Sequence, residues 1–121
     1  MVTWNNLDKL ASFEELKKVE RVNLAEVMSG ENGAERVKSY SVPMAEGLTY
    51  NYAAKQVDDK VLAALAKLAD EAQLTEKFEA LYNGEVINTG EKRLVLHHMT
   101  RGQLGEAVEA DGVDKRTFYT E

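Results

Sequence analysis

The chain has 121 residues, with 15 basic and 21 acidic side chains for a formal charge of −6, 44% apolar residues, one proline and no cysteine. That length suits one domain burying roughly two thirds of its unfolded surface, and the composition excludes a disordered, collagenous or low-complexity chain. Without cysteine there is no disulfide scaffold, thiolate metal site or cysteine nucleophile, and the acidic balance argues against a general nucleic-acid binder, whose phosphate contacts need clustered Lys or Arg. No run of 18 apolar residues is present, and Met1 to Asn6 lack the basic start and apolar core of a signal peptide. No membrane partner is expected, and the expected location is the cytoplasm.

The first third reads as short amphipathic helices. Trp4, Leu7 and Leu10 are spaced by three, and Ser12 with Glu15 has the spacing of a capping box ahead of Leu16, Val19 and Val22. Asn23 and Glu26 repeat that cap before Val27 and Met28. Ser29-Gly30-Glu31-Asn32-Gly33 reads as a helix stop, followed by a short helical piece over Ala34 to Tyr40. Pro43 predicts extended neighbours, and the alternation of Leu48, Tyr50 and Tyr52 predicts a short strand with one buried face. Asp58 is the expected N-cap of the clearest helix, running to Gln73 with Val61, Leu62, Leu65, Leu68, Ala69 and Ala72 at helical spacing. Thr75 is the expected cap of the next helix, where Phe78, Leu81 and Tyr82 share a face and Asn83-Gly84 stops it. Val86-Ile87 reads as extended. Leu94 to Met99 fits a strand and a helical face equally well, and Asp111-Gly112 between Val108 and Val113 predicts a tight hairpin turn.

None of the candidate constellations amounts to an active site by residue type and spacing. His97 and His98 are adjacent and so point in different directions, unlike the four-residue spacing of a helical zinc pair, and they read as one packed and one surface histidine. Asp58-Asp59 and Asp70-Glu71 fit a helix start and a solvated helix face better than a coupled acid pair. Gly30–Gly33 and Gly102–Gly105 lack the Lys-Ser/Thr ending of a phosphate loop. Arg93 and Arg101 would share a face, and could grip a phosphate, only if the intervening segment were helical. The aromatic residues form no base-stacking stripe, and there is no Gly-x-Ser-x-Gly elbow.

The stretch Leu81-Tyr82-Asn83-Gly84-Glu85-Val86-Ile87-Asn88-Thr89-Gly90-Glu91-Lys92-Arg93-Leu94-Val95-Leu96-His97-His98-Met99-Thr100-Arg101 resembles the N-terminal signature of the glucose-6-phosphate isomerase (phosphoglucose isomerase) family. That signature runs Phe/Tyr-x-Gly-Glu-x-Ile-Asn, then Thr-Glu-x-Arg-x-Val-Leu-His, then Ala-Leu-Arg. Gly84, Glu85, Ile87 and Asn88 match the first part, Glu91, Arg93, Val95, Leu96 and His97 the second, and Arg101 the terminal arginine. Gly90 stands where the family has Thr, and Met99 and Thr100 replace Ala and Leu. The order upstream is also similar: an extended Tyr-containing segment from Leu48 to Lys55, a long helix, then a second helix leading into the signature. Downstream, Glu109-Ala110-Asp111-Gly112-Val113 is similar to the family's Val-Asp-Gly turn.

The resemblance implies an aldose–ketose isomerase of glycolysis and gluconeogenesis that interconverts glucose 6-phosphate and fructose 6-phosphate. A glutamate moves a proton between C1 and C2 through an enediol, and no metal or organic cofactor takes part. It implies a homodimer built on α-β-α sugar-isomerase domains. The expected fold class for residues 1–121 is mainly α with short β segments, the N-terminal helical part of that larger α/β enzyme, as one segment with no internal boundary. The family's catalytic and phosphate-binding residues lie downstream of the resembled part, so no catalytic, cofactor-binding or metal residue is assigned here, and the piece alone is expected to be inactive. Asn88, Arg93 and His97 are expected to hydrogen-bond around a helix start, with Leu94, Val95 and Leu96 packing it. The expected partners are the remainder of the isomerase chain and, for the whole enzyme, a sugar phosphate. Glu121 reads as a cut end, and an apolar patch is expected near Trp4 or the Tyr50/Tyr52 strand. The alternative is a self-contained helical module that binds a protein through a helix face.

Overall fold

A computed structural model describes residues 1–101 and 105–119. Among these residues helix dominates, and the strands pair into three separate two-stranded antiparallel sheets, the mainly α fold with short β segments expected from the sequence. The chain divides into two compact units, Ala11–Lys67 and Met1–Leu10 with Leu68–Glu121.

The first unit holds α1 (Ala11–Leu16), α2 (Leu24–Val27), α3 (Gly30–Ser39), β1 (Ser41–Pro43), β2 (Thr49–Asn51) and the start of α4 (Asp59–Glu71). Asn23 caps α2 as its spacing predicts, its side-chain oxygen accepting the Ala25 N–H at 3.1 Å. Asp58 likewise caps α4, accepting the Val61 N–H at 2.8 Å. Three expectations are corrected. Ser12 lies inside α1 and is buried instead of capping it, and the helix ends at Leu16, well short of Val22. The Gly30–Gly33 stretch does not end a helix but forms the first turn of α3, with Ser29 as its N-cap residue. Gly33 is required there because a β-carbon would run into the Met28 backbone carbonyl, where α2 closes onto α3.

The strand predicted from Leu48, Tyr50 and Tyr52 forms, but its apolar face is not buried. Val42 pairs with Tyr50, and flanking bonds run from Tyr52 N–H to Tyr40 carbonyl (2.9 Å) and from Met44 N–H to Leu48 carbonyl (2.7 Å). Tyr40, Val42, Met44, Leu48, Tyr50 and Tyr52 therefore share one face of the hairpin, and Ser41, Pro43, Thr49 and Asn51 the other. Pro43 falls at an outward-facing backbone position, so its missing N–H costs the ladder nothing.

In the second unit α4 ends and α5 (Leu74–Tyr82) begins across Gln73, which takes a left-handed conformation with φ of 53°. Gln73, not Thr75, occupies the N-cap position, because the chain turns two residues before the sequence signal. The Gln73 amide also ties down the N-terminus, accepting the Thr3 N–H at 2.8 Å and donating to the Met1 carbonyl at 3.3 Å. A 3-10 turn at Leu7–Lys9 replaces the predicted amphipathic helix over Trp4 to Leu10. Asn83-Gly84 stops α5 as expected: the Gly84 N–H donates to the Leu81 carbonyl (3.1 Å) and the Glu85 N–H to the Ala80 carbonyl (2.9 Å). Gly84 has φ of +73°, and a β-carbon there would collide with the Val108 side chain.

Beyond α5 come β3 (Val86–Asn88), β4 (Arg93–Leu94), a 3-10 helix at His97–Arg101, β5 (Glu109–Ala110), β6 (Val113–Asp114) and α6 (Lys115–Phe118). The ambiguous Leu94 to Met99 stretch divides between strand and 3-10 helix. Asp111 and Gly112, with φ of 55° and 73°, make the predicted tight turn between β5 and β6. Among the described residues the buried apolar side chains are small or few: Ala72, Ala80, Met99 and Val108 in this unit, Val22 and Ala53 in the other.

Candidate functional site

Tyr82 and His98 of the signature stretch meet each other and the downstream Arg116. His98 stacks on the Tyr82 ring with centroids 5.0 Å apart, and the Arg116 guanidinium lies 5.1 Å from its centroid. The same residue's backbone carbonyl accepts from Arg116 Nη2 at 2.8 Å and meets His98 Nε2 at 3.1 Å. A carbonyl only accepts, so His98 Nε2 carries the hydrogen. Tyr82 is the last residue of α5, where carbonyls lack helical partners, so both contacts satisfy an orphaned helix end.

Arg116 is held in turn by α6. Asp114 is the N-cap of that helix, accepting the Arg116 N–H at Oδ1 (3.1 Å) and the Thr117 hydroxyl at Oδ2 (2.6 Å). It also accepts the Val108 N–H at 3.1 Å. The Thr117 hydroxyl is the largest influence on the Asp114 carboxyl, and with these backbone donors it outweighs partial desolvation, lowering the pKa from its ordinary value. The buried Arg116 also donates from Nε to the Glu106 carbonyl at 2.6 Å. These groups bind backbone and fix a helix end.

His97 is exposed and His98 half-buried, the division expected from adjacency. Asp58 caps α4, and Asp70 and Glu71 are exposed near its end. Arg93 lies on β4 and Arg101 on the following 3-10 helix, so the shared helical face needed for a two-arginine phosphate grip does not form. The expected cluster around a helix start is also corrected. Asn88 accepts the Glu91 N–H at 3.1 Å in the β3–β4 turn, and Arg93 is 75% exposed with Glu91 at 3.7 Å. Gly102 to Leu104 lie outside the described residues. Among those described, no group of three His, Asp or Glu residues could hold a metal ion, and no helix is long and apolar enough to cross a membrane.

Sequence reasoning missed the two buried arginines. Arg36 donates from Nε to the Ala53 carbonyl (2.7 Å) and from Nη2 to the Lys55 and Val57 carbonyls (3.0 and 2.6 Å), with its guanidinium 4.1 Å from the Tyr40 ring centroid. It clasps the segment between β2 and α4. Carbonyl acceptors have no side-chain signature, so nothing in the sequence marks Arg36. Arg116 had a partial signal, since Asp114 and Thr117 stand at cap spacing.

The geometry thus defines a helical piece whose polar centres hold backbone in place. The phosphoglucose isomerase family model matches residues 51–119. Glucose-6-phosphate isomerase of Treponema denticola is 53% identical over 96% of this chain and 23% of its own length. Those of Treponema pallidum and Borreliella afzelii are 43% and 37% identical over 98% of the chain and 23% and 22% of their own lengths. The chain belongs to the phosphoglucose isomerase family and spans about a quarter of the length of these curated relatives.

Proposed function

We propose that residues 1–121 are the N-terminal segment of a glucose-6-phosphate isomerase, one segment without a domain boundary. The rest of the polypeptide would supply the α-β-α sugar-isomerase domains and the catalytic groups. The whole enzyme interconverts glucose 6-phosphate and fructose 6-phosphate by enediol proton transfer, as a cytoplasmic homodimer. The observation that carries this reading is near-complete coverage of this chain by isomerases about four times as long. The site geometry supports it, because His98 and Arg116 both contact the backbone carbonyl that ends α5.

The role of this segment is structural within that enzyme. It is tested by replacing the aligned quarter of the Treponema denticola isomerase with this chain and measuring fructose 6-phosphate turnover in a coupled assay. Turnover by the folded chimera is expected, and none by the purified 121-residue chain. Turnover by the short chain would place the chemistry in these residues and overturn the reading.

A further inference from the structure

The hairpin of β1 and β2 carries an apolar face that the rest of its own unit does not cover. Val42, Met44, Leu48 and Tyr50 are 44, 55, 63 and 47% exposed, although register places all four beside the half-buried Tyr40 and Tyr52. Tyr52 stacks on Tyr40 at 5.1 Å and on Tyr50 at 6.2 Å, so the aromatic row runs unbroken from the covered base of the hairpin onto its open part. The face then continues into a groove of about 380 Å³ lined by Val42, Tyr50, Tyr52, Lys55, Val57 and Leu62. Lys55 is the only charged group in that lining.

The opposite face of the same strands bears Ser41, Pro43, Thr49 and Asn51. Such one-sided alternation is the pattern of a strand pair with a core on one face, and an isolated hairpin is marginal without one. The described structure provides that core only as far as Tyr40 and Tyr52. The relatives extend for about three quarters of their length beyond the part this chain matches.

We infer that the remaining polypeptide of the isomerase docks on the hairpin face formed by Val42, Met44, Leu48 and Tyr50 and on the adjoining groove. This rests on the reading of the chain as part of a longer isomerase and names the surface through which the two parts join. The occupant is an apolar surface of the larger body, since the lining offers a single cation and otherwise aliphatic and aromatic carbon. Burial of four large side chains would complete the core that the strand pattern writes.

This chain contains no cysteine, so an introduced thiol is the single one within it. Leu48→Cys is introduced into the chimera with the Treponema denticola isomerase and into the 121-residue chain. Maleimide labelling of that thiol is followed by peptide mass spectrometry, natively and in urea. The inference expects native labelling of the chimera to be at least about tenfold slower than in urea, and the short chain to be slowed less than about threefold. Equal native rates in an active chimera would overturn the docking face while leaving the isomerase reading intact. A folded but inactive chimera would instead count against that reading. Slow labelling of the short chain that speeds up on dilution would show a second copy on the face and overturn the inference. Met44→Cys, measured in the same way, guards against a local effect of the Leu48 substitution.

Discussion

Replacing Arg36 by methionine keeps most of the aliphatic stem and removes three donated hydrogen bonds. The bond to the Ala53 carbonyl is buried, and those to Lys55 and Val57 are partly so. A hydrogen bond from a charged group is worth roughly 1.5–3 kcal/mol when buried, and less where water can replace it. Taking the full value for one bond and a fraction for the other two gives about 3 kcal/mol. Loss of the guanidinium over Tyr40 adds about 0.5–1 kcal/mol. The expected cost is therefore about 3–4 kcal/mol, a large share of the stability of a chain this size. In urea unfolding followed by far-ultraviolet circular dichroism, that is a fall in midpoint of about 1.5–2 M at an ordinary slope. Because the acceptors are neutral carbonyls, the loss should be nearly the same at low and high salt. A midpoint within about 0.5 M of the parent would refute the view that Arg36 holds this segment. Arg36→Lys should recover only part of the loss, since an ammonium cannot reproduce the planar fork across three carbonyls.

Gly84→Ala should lower stability by about 2–4 kcal/mol in the same unfolding experiment, since it adds left-handed strain to a collision with Val108. Asp114→Asn should lower the melting temperature at neutral pH and flatten its acid dependence. The folded-state pKa of Asp114 lies below the ordinary carboxylate value, so its contribution is present above that value and is lost as pH falls through the depressed one. A melting profile unchanged in shape between pH 5 and pH 2.5 would contradict this. The Lys67–Glu15 pair is short at 2.6 Å, but its side chains are 61 and 52% exposed. A double-mutant cycle should give a coupling below about 1 kcal/mol that shrinks with added salt.

Local signals were legible where a side chain acts on its own backbone. The caps at Asn23 and Asp58, the Asn83-Gly84 stop and the Asp111-Gly112 turn all follow from spacing and residue type, because their hydrogen bonds close within a few positions. The misreadings have a common cause. Ser12 and Thr75 had the right residue type one position inside a helix, where tertiary geometry set the boundary. The period-two pattern around Tyr50 established the strand and its apolar side but not what covers that side. The polar centres were legible only in part. His98 could be read as a packed histidine, but its partner is the Tyr82 carbonyl sixteen residues away, and Arg36 reaches across seventeen residues or more to carbonyls alone. Backbone acceptors are the same at every position, so such clasps leave no trace in residue identity.

The place of Pro43 in the hairpin bears on how this chain behaves at high concentration. With Val42 and Tyr50 bonded to each other, the outer rims of the two strands present Ser41 and Pro43 on one side and Thr49 and Asn51 on the other. The proline rim lacks a donor where an incoming strand would need one, so only the Thr49/Asn51 rim can recruit another strand. Two hairpins meeting through that rim would leave proline rims on both outer sides. Strand addition would then stop at a pair, and the polymer that an exposed apolar hairpin invites would terminate itself after one step.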